Sequence, residues 1–124
     1  MSMHRYVYIF LGGSIGALLR YGLAQLNHHG SFPIGTFCAN LAGAFLMGLL
    51  STLAIRFFKN NANLKKGLTT GLLGALTTFS TFQFECLNML QEGLIGTLAL
   101  YAISSYSLGI LLCYLGTRLG GRIQ

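Results

Sequence analysis

Thr77, Thr78, Ser80 and Thr81 put four hydroxyls into six positions, and Phe79 and Phe82 are interleaved with them. A hydroxyl donates a hydrogen bond, and the edge of a phenyl ring carries partial positive charge. Donors and ring edges together suit a small anion. The stretch lies within a long hydrophobic segment. Polar groups at membrane depth persist mainly where they face protein, an internal cavity or a permeating solute. Asn40 is the lone strongly polar residue of another such segment. It serves either as an interhelical hydrogen bond, worth about 1 kcal/mol, or as a donor aimed into a polar path. Tyr101 and Ser105 are four apart and share a helix face. With Ser104, Tyr106 and Ser107 they form either a polar track or hydroxyls that join helices.

Two charges fall inside hydrophobic segments, Arg20 and Glu85. Charges in a bilayer are seldom unpaired, so an ion pair between them is the expectation. The alternative is a proton-coupling carboxylate at Glu85, but Glu85 lies too near one end of its segment for a midplane substrate site. Other chemistry is sparse. Cys38, Cys86 and Cys113 are widely separated inside apolar segments and match no metal or disulfide pattern. His28 and His29 stand in a short polar turn with no evident third ligand. No catalytic dyad or phosphate loop occurs, so an enzyme is not expected.

The elements that must position these residues follow from composition. Of 124 residues, 53% are hydrophobic and only 8% charged, against about a quarter charged in a soluble domain. The chain is therefore read as an integral membrane protein. A spanning helix takes roughly 20 apolar residues, which allows four spans in one domain, at about 4–26, 34–58, 64–90 and 94–119. The net charge of +6 does not imply nucleic acid. Arg5, Arg56, Lys59, Lys65, Lys66, Arg118 and Arg122 stand at span ends, where positive residues set orientation and meet anionic lipid.

Within the first span, Gly12/Gly16 and Gly13/Ala17 are small-residue pairs four apart, which let helices approach closely. In the third, Gly67, Gly71 and Gly74 precede the hydroxyl stretch. Glycines followed by β-branched, hydroxyl-bearing residues weaken a helix, and a break near 74–80 is expected. The carbonyls it frees need a partner, and a bound cation is one.

These residues resemble the small bacterial fluoride channels of the Fluc or CrcB family over essentially the whole chain. The resemblance rests on Gly12-Gly13-x-x-Gly16-Ala17-x-x-Arg20-Tyr21, on Gly35-Thr36-x-x-x-Asn40-x-x-Gly43, and most specifically on Gly74-Ala75-Leu76-Thr77-Thr78-Phe79-Ser80-Thr81-Phe82. It implies an all-α protein of four transmembrane helices per subunit, with the third broken. It also implies an antiparallel, dual-topology dimer with two pores in a bacterial cell membrane. The implied function is passive, fluoride-selective export that lowers cytoplasmic fluoride. By this resemblance Asn40 is a pore donor, Phe79 and Phe82 turn ring edges to fluoride, and Ser80 and Thr81 line the path, with Tyr101 and Ser105 continuing it. Arg20 matches an arginine near the pore vestibule. A structural, non-permeating sodium ion is implied at backbone carbonyls corresponding to Gly74 and Thr77. Ala75 stands where the family often has a second glycine, which leaves those carbonyls in place.

Seven of the eight Lys/Arg residues fall on the side of the two termini, the exception being Arg20. This bias places both termini in the cytoplasm. A dual-topology homodimer should show little bias, so the partner is either a second copy or a homologous subunit of reversed bias. Two other functions compete with the channel. A small multidrug-type exporter needs a membrane carboxylate in its first span, where this chain has only Arg20 as an interior charge. A non-transporting assembly protein would use the hydroxyls for packing alone.

Overall fold

The computed structural model describes residues 3–27, 32–53 and 60–123. His28, His29, Arg56, Lys59 and the last part of the expected second span, 54–58, lie outside the described residues. The described chain is helical: α1 (Met3–Ala24), α2 (Ile34–Leu53), α3 (Ala62–Lys66), a π-helical segment (Gly67–Leu73), α4 (Gly74–Leu76), α5 (Phe79–Gln91) and α6 (Ile95–Ile123).

By length and composition α1, α2 and α6 are long and apolar enough to cross a membrane. The region between α2 and α6 is divided. It runs as one helical rod from Ala62 to Leu76, stops, and restarts at Phe79. Each piece is about 20 Å long at helical rise, short of a hydrocarbon core of about 30 Å. The break expected near 74–80 falls at Thr77 and Thr78, both extended, with φ/ψ of −86°/154° and −154°/125°.

Glycine seams bring the helices together. A Cβ on Gly12 or Gly16 of α1 would strike the backbone at Gly67 or Leu72, and one on Gly71 would strike Ile9 O. A second seam joins α2 to α6, where Gly48 meets the Cys113 carbonyl and Gly116 meets the Phe45 carbonyl. Close backbone approach through small residues supplies the van der Waals contact that drives association in lipid. The contact order shows that α1 runs parallel to the π segment and α2 parallel to α6. The wide turns have a local cause as well. Thr69 Oγ1 donates to Lys65 O at 2.8 Å, occupying the carbonyl that an α ladder would give to the Thr69 N–H.

Ala39, Leu73 and Leu76 form the buried core, with Leu23, Leu46, Met47, Leu50 and Leu72 around it. The exterior is apolar. Phe10 is 72% and Leu18 70% exposed on α1, a surface suited to lipid or to another subunit rather than to water. α5 ends in a Schellman turn. Leu94 N donates to Met89 O at 2.8 Å and Gly93 N to Leu90 O at 3.2 Å, and Gly93 takes the left-handed φ of 78° that this turn requires. The turn aims α6 back along α5 and so sets Tyr101 beside Glu85.

Candidate functional site

The break is held open by side chains. Thr77 directs both its N–H (3.1 Å) and its Oγ1 (2.9 Å) to Leu73 O. The helix would next pair Thr78 N–H with Gly74 O. That N–H goes to Asn40 Oδ1 at 2.7 Å instead, and Asn40 Nδ2 donates back to Thr78 O at 3.1 Å. One amide of α2 thus satisfies both backbone groups of a residue that has left the helix. Gly43, one turn further along α2, provides the space: a Cβ there would collide with Thr77 Cγ2. Thr78 then caps the new helix, its Oγ1 accepting from Thr81 N at 3.2 Å. The first turn of α5, Phe79 to Thr81, therefore presents the electropositive end of a 13-residue helix next to Asn40.

A cleft of about 320 Å³ opens at this point, lined by Asn40, Thr77, Thr78, Phe79, Phe82, Ser105 and Tyr106. No acidic residue is among its lining. Phe79 and Phe82 stack with centroids 6.0 Å apart. Ser105 Oγ is buried with no hydrogen-bond partner among the described residues. Four of the residues read from the sequence as pore lining, Asn40, Phe79, Phe82 and Ser105, are thus brought to one cleft. The other three are not. Ser80 is exposed and its hydroxyl lies 3.3 Å from Thr78 Oγ1. Thr81 is half-buried in the first turn of α5. Tyr101 lies behind the cleft, fully buried, its ring 4.9 Å from that of Phe82.

Tyr101 is the centre of an aromatic cluster with Phe32 and Phe37, at centroid distances of 5.2 and 6.4 Å. Its hydroxyl donates to Glu85 Oε1 at 2.8 Å. Glu85 Oε2 accepts from Thr36 Oγ1 at 2.9 Å and from Asn27 Nδ2 at 3.3 Å. The expected Arg20–Glu85 ion pair is not formed. Glu85 is instead met by three neutral donors. Depth explains the difference. Counting residues to the span ends set Arg20 and Glu85 level, but the carboxyl meets Asn27, seven residues beyond Arg20 and about 10 Å further along the helix direction. The break moved α5 relative to α1, which residue counting does not register.

Sequence reasoning left Asn27 and Thr36 without a role. Thr36 carried a usable signal, since it stands four residues before Asn40 on the same face of α2. Asn27 carried none, lying in a polar turn beside residues of the same character.

Comparison with known proteins identifies the family. The family described as CrcB-like protein, Camphor Resistance (CrcB), matches residues 7–117. The chain is 62% identical over 120 residues to the Fluoride-specific ion channel FluC 1 of Staphylococcus aureus (strain bovine RF122 / ET3-1), covering 97% of this chain and 99% of that protein. It is 59% identical over 120 residues to the Fluoride-specific ion channel FluC 2 of Staphylococcus saprophyticus, with the same coverage. It is 58% identical over 118 residues to FluC 2 of Staphylococcus haemolyticus, covering 95% of this chain and 98% of that one. These relatives bear the names of ion channels, not of enzymes. With a family match over nearly all of its length and relatives aligned end to end, the chain belongs to the CrcB-like family.

Proposed function

We propose that this chain is a subunit of a fluoride-selective channel that lets fluoride leave the cell passively. The support is the cleft at the helix break. It is lined by Asn40, Phe79, Phe82 and Ser105, has no acid among its described lining residues, and has at its wall the buried Ser105 hydroxyl, unpartnered among the described residues. Fluoride is small and strongly hydrated, so a path must replace its water with donors. Hydroxyls, an amide and the N-terminal turn of α5 supply them, and ring edges add weak positive potential that does not trap the ion. The names of the relatives point the same way.

The complete channel is read as four crossings per subunit, the two pieces 62–76 and 79–91 together forming the third. A second, antiparallel subunit completes it, either another copy or a homologue of reversed charge bias, in the bacterial plasma membrane. Ser80, Thr81 and Tyr101 extend the path, and Arg20 stands toward its mouth. The exposed apolar face of α1 gives lipid or such a partner something to cover. A structural sodium ion fits Gly74 and Thr77. The Gly74 carbonyl has lost its helical donor to Asn40, and extended Thr77 carries its own carbonyl out of the ladder. Hard cations are held by such oxygens. A two-fold partner would double the set. The ion would supply positive charge that offsets the anion path and fastens two broken helices together.

Fluoride efflux from liposomes containing the purified protein, read with a fluoride electrode beside a chloride control, tests the reading. Fast fluoride efflux without chloride efflux is the expected result. Equal efflux of both ions would refute selectivity. Efflux of neither ion, also after co-expression with a homologous subunit, would refute the channel.

A further inference from the structure

We infer that Asn27 is a positioning residue of the ion path, acting through Glu85 and Tyr101; the inference rests on the channel reading above. Asn27 lies just beyond the end of α1, and the two edges of its amide do different work. The acceptor edge caps α2: Oδ1 takes the N–H of Gly35 at 2.7 Å and that of Thr36 at 3.4 Å. The donor edge reaches across the bundle: Nδ2 contacts Thr36 Oγ1 at 3.1 Å and Glu85 Oε2 at 3.3 Å. Gly35 makes the approach feasible, since a Cβ there would meet Leu23 O and come within 3.0 Å of Asn27 Oδ1.

From Glu85 the linkage continues inward. Tyr101 donates to Glu85 Oε1 at 2.8 Å, and its ring lies 4.9 Å from Phe82 at the cleft. A glutamate side chain has three torsions, and its three donors restrain it here. Loss of the Asn27 donor leaves Glu85 Oε2 on the Thr36 hydroxyl alone, and that hydroxyl loses its own contact with Asn27, so the carboxyl is held less firmly and the buried Tyr101 hydroxyl must follow it or lose its bond. Such networks are worth more than their separate bonds. Asn27 thereby sets Tyr101 and the Phe82 ring beside it without touching the cleft.

The two edges separate cap from positioning. Asn27→Asp keeps an acceptor for Gly35 and Thr36 but removes the donor and sets a second carboxyl against Glu85. It should stay monodisperse and lose about tenfold in fluoride flux, the size expected for a bond to a charged group. Asn27→Asp combined with Glu85→Gln restores a donor–acceptor pair in reversed sense, and flux should recover severalfold over Asn27→Asp alone. A merely structural cap gives no such rescue. Wild-type flux in Asn27→Asp, or no recovery in the double variant, overturns the inference. If Asn27→Asp does not fold, the double variant is decisive: it must fold and conduct, and its failure overturns the inference too. Absence of fluoride efflux from the wild-type protein, also after co-expression with a homologous subunit, would by contrast overturn the channel reading itself.

Discussion

Asn40 on α2 and Thr78 at the helix break are joined by two hydrogen bonds through one amide, Thr78 N to Oδ1 at 2.7 Å and Nδ2 to Thr78 O at 3.1 Å. The residue expected to donate into the path is also the residue that holds the break open. Asn40→Ala leaves two backbone groups without partners in the interior. The cost should be about 2 to 6 kcal/mol, at about 1 to 3 kcal/mol for each of the two unsatisfied groups, read as a lower melting temperature in detergent. Asn40→Asp adds a carboxyl facing Thr78 O and the anion path, and fluoride efflux should be suppressed. Unchanged efflux from a folded Asn40→Asp protein would take Asn40 out of the lining.

Tyr101→Phe isolates a single bond. The ring stays in its aromatic cluster, while Glu85 Oε1 loses its one donor among the described residues, at 2.8 Å. A stability loss of about 1.5 to 3 kcal/mol is expected for a bond to a charged group. A thermal shift near zero would mean that Glu85 finds another donor within the fold.

The α2–α6 seam predicts a contrast between two glycines. Gly48→Ala drives a Cβ into the Cys113 carbonyl, whereas a Cβ on Gly96 meets nothing within 4 Å. Backbone cannot swing aside as a flexible side chain can, so Gly48→Ala should cost about 1 to 3 kcal/mol. Gly96→Ala should be neutral or slightly stabilising. Equal melting temperatures for the two variants would mean that the seam is looser than described.

The sodium site proposed at the break predicts sodium dependence. Fluoride efflux should fall when sodium is replaced on both sides by a large organic cation during reconstitution, and recover when sodium is restored. Efflux indifferent to that exchange would remove the sodium proposal and leave the cleft reading intact.

Topology is read by tagging both termini. The Lys/Arg distribution predicts both tags on the cytoplasmic side in most copies when this chain is expressed alone. Equal labelling on the two faces would exclude the heteromeric partner of reversed bias and favour a homodimer of two opposite insertions.

Much of this protein was decided by local sequence. An apolar composition with few charges dictated helices of membrane-spanning length, because only a helix satisfies its own backbone away from water. The glycines at 12, 16, 67 and 71 dictated close seams, and glycine followed by Thr77-Thr78 dictated a break, since both signals act within a turn or two of chain. Asn40 and Ser105 were legible as chemistry because each is out of character with its apolar surroundings, and Phe79 and Phe82 because they are interleaved with hydroxyls. Partnership was decided by the tertiary structure. That Asn40 spends its amide on Thr78, that Tyr101 turns to Glu85 behind the cleft, and that Glu85 meets Asn27 and Thr36 rather than Arg20 depend on how far α5 shifts after the break. Two extended residues displace and rotate everything that follows them. Helical periodicity, which holds only within an unbroken helix, carries no record of that displacement.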